Sequence, residues 1–184
     1  MAANHTPEMA LCEEKAIEYF WKHCKFPGAN LKSLRVMAKM GALSMSRILE
    51  LCILENSRLQ QSNLKGEDFK DGSDAKFATA RNKVHWNGGR NSSGEKYISE
   101  RNWADVGGLK NKKGILRIFI NYFNSQTKVY KPYMFVIPYK VWSKHITSSG
   151  CLKFYFSSKE DGITKITKAR FGEYQVFSIK DLGK

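Results

Sequence analysis

The spacing of the apolar residues changes within the chain, and this change constrains the fold more than any other feature. Up to about residue 58, apolar residues recur at the three- to four-residue spacing of amphipathic helices. After Gly66 they gather into short runs rich in Ile, Val, Phe and Tyr, such as residues 115–123 (ILRIFINYF) and 133–138 (YMFVIP), which are typical of strands. We therefore predict an α+β fold in which N-terminal helices precede a mixed β-sheet.

The helix boundaries follow from local signals. Thr6-Pro7 predicts the start of a first helix, and Pro27-Gly28 predicts its end. A second helix is predicted over residues 31–39, ended by Gly41, and a third over residues 44–56. The residues predicted to be buried on the first and third helices are Cys12, Ala16, Phe20, Cys24, Ile48, Leu49, Cys52 and Ile53.

The rest of the chain divides into strand candidates and one long polar stretch. Residues 77–81, 151–156 and 174–179 are further strand candidates, and residues 124–127 suit a hairpin between the two strongest strands. Residues 83–113 are rich in Gly, Asn and Lys, and we predict a functional loop there. A length of 184 residues suits one domain, with a helical part at about 6–58, a sheet core at about 66–140 and C-terminal strands at about 150–180.

The charge balance indicates a polyanionic partner. The chain has 31 Lys and Arg against 17 Asp and Glu, a formal net charge of +14. A field of this size attracts nucleic acid and makes its binding depend on salt. Because the sequence has neither a basic amphipathic helix nor a lipidation motif, we expect nucleic acid rather than a membrane as the partner.

Cysteine usage and the N-terminus favour an intracellular protein. Glu8, Glu13 and Glu14 interrupt the N-terminal segment, which therefore lacks the apolar core of a signal peptide. No run approaches the roughly 18 apolar residues of a membrane span. No CxxC pair or zinc-ligand spacing occurs among Cys12, Cys24, Cys52 and Cys151, which we expect to be reduced thiols.

Residues 66–81 (GEDFKDGSDAKFATAR) hold the strongest candidate for chemistry. On a strand, Asp74 and Lys76 would face the same side about 7 Å apart. Asp68, on the approach to the strand, could bring a second carboxylate to the same place. Two carboxylates with water and phosphate oxygens suit Mg²⁺, and a lysine can steady the attacking water and the developing charge during phosphodiester hydrolysis.

Two other acid-x-Lys pairs are weaker candidates. Glu13 and Lys15 lie on the first predicted helix without a preceding acid. Asp68 and Lys70 are followed by Asp71-Gly72, a turn signal that directs Lys70 into solvent. The pair of Asp74 and Lys76 alone enters an apolar strand with an acid upstream.

The order of these elements resembles the PD-(D/E)xK nuclease superfamily. The run DGSDAK, followed by GILR at 114–117 and by YMFVIP, looks like small type II restriction endonucleases, including those of large algal viruses. The resemblance covers roughly residues 67–139. It implies a restriction-endonuclease-like core, a homodimer, and Mg²⁺-dependent cleavage within a short DNA site that leaves a 3′-hydroxyl and a 5′-phosphate. A DNA methyltransferase acting in the same system, without contact to this chain, is also implied.

The resemblance assigns roles to individual residues. Asp68 and Asp74 become metal ligands and Lys76 the catalytic lysine. No proline precedes Asp68, so either Asp68 or Asp71 serves as the first acid. Some members of the superfamily also use a glutamate on the preceding helix, a role for which Glu55 is the first candidate and Glu50 its substitute.

Polar residues that follow the motif are candidates for DNA contact. Arg and Lys read guanine edges and Asn reads adenine edges in the major groove. The candidates for base contact are Arg81, Asn82, Lys83, His85, Asn87, Arg90 and Asn91. Contacts to phosphates, which position the protein without reading sequence, are predicted for Lys110, Lys112 and Lys113.

Three other readings of the chain remain open. A non-catalytic basic DNA-binding protein is the first, since residues 31–56 carry two short helices around Gly41 as in a helix-turn-helix, although the third helix is strongly apolar for a recognition helix. A nuclease of the HNH type is the second, although His85-Trp86-Asn87 is a poor match to its motif and His145 stands alone. An RNA-binding module is the third, and its typical aromatic motif is absent.

Overall fold

The computed structural model describes residues 7–24, 26, 30–40, 44–90, 96–124, 127, 129–157 and 162–184, with the backbone alone at 7–10, 81–90 and 96–102. The helices are α1 (Pro7–His23), α2 (Leu31–Lys39), α3 (Met45–Asn56), α4 (Tyr139–Trp142), α5 (Lys165–Phe171) and α6 (Ile179–Leu182). The strands are β1 (Asp74–Thr79), β2 (Arg81–Arg90), β3 (Lys96–Val106), β4 (Leu116–Asn124), β5 (Val129–Ile137), β6 (Leu152–Ser157), β7 (Gly162–Ile163) and β8 (Gln175–Val176).

The three predicted N-terminal helices are confirmed. The Asn30 side chain caps α2 by accepting from the backbone N–H of Ser33, and Ser44 caps α3 by accepting from that of Arg47. Such caps satisfy N–H groups that have no partner inside the helix. The predicted apolar stripes are buried as expected at Cys12, Ala16, Phe20, Ile48, Leu49, Cys52 and Ile53.

The strands of the described residues divide into two sheets of four. The first sheet has the order β1-β4-β5-β8 and is mixed, since β1 runs parallel to β4 while the other neighbours are antiparallel. The second sheet has the order β2-β3-β6-β7 and is antiparallel. The predicted α+β class and the predicted hairpin between β4 and β5 are confirmed.

Two apolar clusters place the first sheet in the middle of the molecule. Phe119 and Met134 pack with residues of α1, α2, α3 and α6 on one face. Ile118 and Ile120, which point the other way along β4, pack with Phe154 and other residues of the second sheet. Because side chains alternate along a strand, β4 is buried on both faces, as its continuous apolar run requires.

The prediction of a loop over residues 83–113 is wrong. Most of this stretch forms β2 and β3, which pair from Arg81 opposite Trp103 to Arg90 opposite Lys96. β3 also pairs with β6, and this pairing buries Ala104 beside the residues of the second sheet. Pairing and burial of this kind outweigh the low strand propensity of Asn and Gly.

The C-terminal part also differs from expectation. Residues 174–179 were predicted as one strand, but β8 has two residues and α6 begins at Ile179. Ser178 begins α6 because its hydroxyl accepts from the backbone N–H of Asp181. β6 matches the predicted strand at residues 151–156 closely.

Two further findings concern the helices and the cysteines. Among the described residues, no helix is both long and apolar enough to cross a membrane. Cys12, Cys24, Cys52 and Cys151 are free cysteines. Burial raises the pKa of the Cys12 thiol to about 12, as expected for a cysteine that serves as a small apolar core residue.

A buried arginine organises the turn that leads into β1. Arg117 of β4 is 1% exposed. Its Nε donates to Ser73 Oγ at 2.9 Å, its Nη2 to Asp71 Oδ2 at 3.0 Å, and its Nη1 to the carbonyl of Leu182 at 2.7 Å. The guanidinium thereby joins the turn, β4 and α6, and fixes the backbone immediately before Asp74.

The same turn packs against Gly114, a position at which only glycine fits. A Cβ added to Gly114 would lie 1.8 Å from the carbonyl oxygen of Gly72. No side chain fits at that distance, so the two segments approach each other this closely because Gly114 has no Cβ. The GILR motif therefore has two structural roles, through Gly114 and Arg117.

We expect Gly114→Ala to lower the free energy of unfolding by about 1–3 kcal/mol, because the turn must move to admit the methyl group. Gly107→Ala is the matched control, since its Cβ would lie 3.5 Å from Cys151 Sγ, an ordinary contact. Urea denaturation followed by circular dichroism measures both. Equal stability of the two variants would contradict the close approach.

Asp71 should make stability depend on acid pH. Burial raises the pKa of the Asp71 carboxyl. Hydrogen bonds from Ser73 and the hydrogen bond and charge of Arg117 lower the pKa by more than burial raises it, so it lies below its usual value. The charged carboxylate therefore stabilises the fold at pH values above about 3.9, the pKa of an aspartate in the unfolded chain. This stabilisation is lost as the pH falls through the lower pKa of Asp71 in the folded protein.

We expect Asp71→Asn to remove this contribution, so that the difference in unfolding free energy between wild type and variant shrinks as the pH falls from about 7 to about 2.5. Urea titrations at several pH values measure the difference. A difference that does not change with pH would contradict the role of the charge.

Candidate functional site

Asp74 and Lys76 lie at the beginning of β1 on the same face of the first sheet. Asp74 pairs with Leu116 and Lys76 with Ile118 in the parallel register with β4. Leu116 and Ile118 belong to the cluster between the two sheets, so the carboxylate and the ammonium group also face that side. Asp74 is 1% exposed, whereas Lys76 is only partly buried.

The carboxylate of Asp74 forms an ion pair with Lys112. Lys112 Nζ lies 2.5 Å from Asp74 Oδ1, and the same ammonium group donates to the carbonyl oxygen of Gly66. Lys112 is 20% exposed, so the pair lies at the boundary between the interior and solvent. A buried carboxylate without a partner is costly, and Lys112 neutralises it.

This ion pair lies in a cleft of about 750 Å³ between the 65–74 segment and the 110–114 segment. The lysines that line it are Lys65, Lys110, Lys112 and Lys113. The carboxylates that line it are those of Glu67, Asp71 and Asp74. The lysines attract an anion to this surface. The buried carboxylate among them can bind a cation.

The two candidates for the first acid have different hydrogen-bond partners. Both oxygens of Asp71 have partners: Oδ1 accepts from the backbone N–H and hydroxyl of Ser73, and Oδ2 accepts from Arg117. Asp68 Oδ2 accepts from the backbone N–H of Ala75 at 2.8 Å. Asp71 therefore has a structural role in the turn although it lines the cleft with Asp74, whereas Asp68 lies outside the cleft lining, so the choice of first acid stays a prediction.

The position of Asp68 follows from the hydrogen bonding of β1. The backbone N–H of Asp74 donates toward β4, to the carbonyl of Ile115 at 3.0 Å. Successive N–H groups of a strand point to opposite edges, so that of Ala75 points away from β4. Asp68 thus covers the edge of β1 that faces away from β4, at the N–H of the residue that follows Asp74.

The helix glutamates were the candidates for a third acid. Glu55 is exposed near the end of α3, and Glu50 pairs with Arg47 at 2.6 Å. Among the described residues, no three His, Cys, Asp or Glu side chains come together as a metal-binding group. The structure therefore does not bring Glu55, Asp68 and Asp74 together, and their joint role as ligands stays a prediction.

A smaller donor set still fits Mg²⁺. This ion is commonly held by one or two carboxylates, with water and substrate phosphate completing its octahedral shell. Asp74 supplies one buried carboxylate, and Glu67 lines the same cleft. The ammonium of Lys112 occupies a cation position on Asp74, which shows that the site accommodates positive charge there.

The predicted DNA contacts fall into two groups. Lys110, Lys112 and Lys113 line the cleft, and Lys112 is paired with Asp74. The residues predicted to contact bases from Arg81 to Arg90 lie on β2, whose side chains are not described, and Asn91 lies outside the described residues. The role of this second group stays a prediction.

Two of the alternative readings concern α3 and the histidines. The apolar face of α3 is buried against β1 and α1. His145 packs edge-on against Phe171 with centroids 5.4 Å apart. Burial and the nearby charges of Arg170 and Lys144 lower the pKa of His145. The side chain of His85 is not described.

The pairing of Asp74 with Lys112 could not be predicted from the sequence. The two residues are 38 positions apart, and the lysine-rich run at 109–113 was assigned to phosphate contacts as a group. Glu67 and Lys65 were also missed as cleft residues. The one available signal was the cluster of glycines and lysines at 107–114, which marks a tight basic turn.

Comparisons with known proteins add no relative. No protein-family model matches the chain, no curated protein matches it, and no solved structure matches it.

Proposed function

We propose that the protein is a Mg²⁺-dependent endonuclease that hydrolyses phosphodiester bonds of double-stranded DNA, with a restriction-endonuclease-like core. The observation that carries the proposal is the buried carboxylate of Asp74 at a cleft lined by four lysines, with Lys76 on the same face of β1. A phosphodiester is an anion that must meet a cation and a positioned water to be cleaved. Asp74 and the lysines of the cleft can meet the cation and the anion, and Lys76, which lies two residues further along β1 and does not itself line the cleft, is the group for the water.

Each residue has a defined task in the proposal. Asp74 holds the cation, assisted by Asp68 or by Glu67 from the cleft wall. Lys76 orients the attacking water and stabilises the negative charge that develops on the phosphoryl oxygens. Lys110 and Lys113 bind phosphates on either side of the scissile bond and hold the duplex in register. Bound Mg²⁺ supplies charge neutralisation at the reacting phosphate.

The resemblance of the motif to type II restriction endonucleases extends the proposal to sequence-specific cleavage inside the cell. The proposal also includes a homodimer, since cutting both strands of a symmetric site requires two such clefts. Base contacts from Arg81–Arg90 on β2 belong to the same proposal.

Cleavage is tested directly with a long duplex, the purified protein, and either Mg²⁺ or EDTA. We expect discrete fragments on a gel with Mg²⁺ and intact DNA with EDTA. Asp74→Asn and Lys76→Met should each reduce the cleavage rate at least about 100-fold, because charge stabilisation in the transition state is lost. Both variants should still bind DNA.

Matched controls separate the site from general charge effects. Lys70→Met removes the lysine of the neighbouring acid-x-Lys pair, an exposed residue that donates to Gln60 Oε1. Asp105→Asn removes an exposed carboxylate of β3. Both should cleave as wild type does. A loss of cleavage in the controls equal to that in the site variants would contradict the assignment.

One observation favours a second candidate, a non-catalytic basic DNA-binding protein. The ion pair with Lys112 satisfies the buried carboxylate of Asp74 without any metal. Such a protein would bind DNA equally in Mg²⁺ and EDTA, and its DNA would stay intact in both. The cleavage assay therefore decides between the two candidates.

The predicted homodimer has its own test. Light scattering should give a mass of two chains, either for the free protein or for its complex with duplex DNA. A mass of one chain in both conditions would exclude the dimer while leaving single-site cleavage to be judged by the gel.

A further inference from the structure

We propose that Lys112 is an exchangeable counter-ion of Asp74. Without a divalent cation its ammonium group neutralises the carboxylate; when a divalent cation binds Asp74, Lys112 is displaced and its ammonium group binds a DNA phosphate in the same cleft. This inference rests on the proposed function and adds a switch between its metal-free and metal-bound states.

The first argument is that Lys112 and a divalent ion compete for one carboxylate. Lys112 Nζ lies 2.5 Å from Asp74 Oδ1, on the side open to the cleft. Mg²⁺ binds carboxylate oxygens at about 2.0–2.1 Å and demands an octahedral shell of oxygens. An ammonium group has no lone pair to offer that shell and repels the ion, so it cannot remain at the oxygen that the ion uses.

The second argument is that the backbone around Lys112 is held while its side chain can move. The backbone N–H of Lys112 donates to the carbonyl of Leu109 at 3.2 Å, and that of Leu109 donates to the carbonyl of Gly150 at 3.2 Å. Leu109 is 1% exposed and belongs to the cluster between the sheets. Asn111 has a φ of 68°, a conformation that asparagine tolerates in tight turns.

The turn therefore presents Lys112 at a fixed place in the cleft wall. A lysine has a flexible four-carbon stem and a compact charge with three donors, which suits it to exchange one oxygen partner for another. Lys110 and Lys113 flank it on the same cleft, so the displaced ammonium group remains among groups that face the same polyanion.

The third argument concerns charge. Removing Lys112 without a replacement would leave a buried carboxylate uncompensated, so the metal-free protein needs this lysine. Once a divalent ion replaces it at Asp74, the lysine is free to contribute a phosphate contact. Metal binding and DNA binding should therefore favour each other, with Lys112 as the link.

Mn²⁺ affinity of the DNA-free protein, measured by electron paramagnetic resonance, tests the exchange without relying on activity. Lys112→Met should bind Mn²⁺ about tenfold more tightly than wild type, because the competing ammonium group is gone. The same removal of charge at exposed positions, in Lys110→Met and Lys113→Met, should change the affinity less than about threefold owing to solvent screening. Asp74→Asn should abolish this binding.

A second variant covers the case in which Lys112→Met is unstable without metal. Lys112→Arg keeps the positive charge and the pairing with Asp74, so it should bind Mn²⁺ no more tightly than wild type. Tighter binding by Lys112→Arg would overturn the competition.

DNA binding supplies an independent readout. In Ca²⁺, the slope of log affinity for duplex DNA against log salt concentration should be smaller for Lys112→Met than for wild type, by the equivalent of about one phosphate contact. In EDTA the two slopes should be equal. An equal loss in both conditions would show a fixed phosphate contact and overturn the exchange.

The outcomes separate the two proposals. If Asp74→Asn abolishes Mn²⁺ binding but Lys112→Met equals wild type, the exchange is overturned and the metal site of the proposed function stands. If wild type and Asp74→Asn bind Mn²⁺ alike, or neither binds it, the cation does not use Asp74 and both proposals fail.

Discussion

The buried guanidinium of Arg117 is the interaction on which the candidate site depends. It fastens the turn through Asp71 and Ser73 to the middle strand of the first sheet and to the carbonyl of Leu182. A charge with 1% exposure is costly unless its donors are satisfied, so the turn and α6 have little freedom to move apart. Asp74 follows this turn directly, and its position is set before any ligand arrives.

The layered architecture determines what Asp74 can meet. Helices cover one face of the first sheet and the second sheet covers the other, and β1 begins with the buried Asp74 beside the basic turn at 110–113. A carboxylate there is withdrawn from water but open toward the cleft. In such a place electrostatic interactions are stronger than in bulk water, and the choice of counter-ion has a large effect on binding.

Sequence reasoning recovered what depends on local periodicity and missed what depends on distant pairing. Cys12, Ala16 and Phe20 repeat at helical spacing, and the core of β4 is one apolar run, so both could be predicted. β2 and β3 could not, because Asn and Gly there have low strand propensity and the partner β6 lies some fifty residues further on. The role of Asp71 in binding Arg117 and the pairing of Asp74 with Lys112 also join distant segments, which no single-sequence pattern reveals.

The passage of the chain from β1 into β2 has a geometric consequence for an enzyme of the proposed kind. Ala80 alone separates the two strands, and its N–H still donates to the first sheet through Asn121. The Cα atoms of Lys76 and Arg81 are therefore at most about 18 Å apart. At a rise of about 3.4 Å per base pair, this backbone spacing corresponds to about five base pairs, to which the reach of the two side chains is added. In an enzyme of the proposed kind, one continuous segment of chain would then connect the bases read with the bond cut.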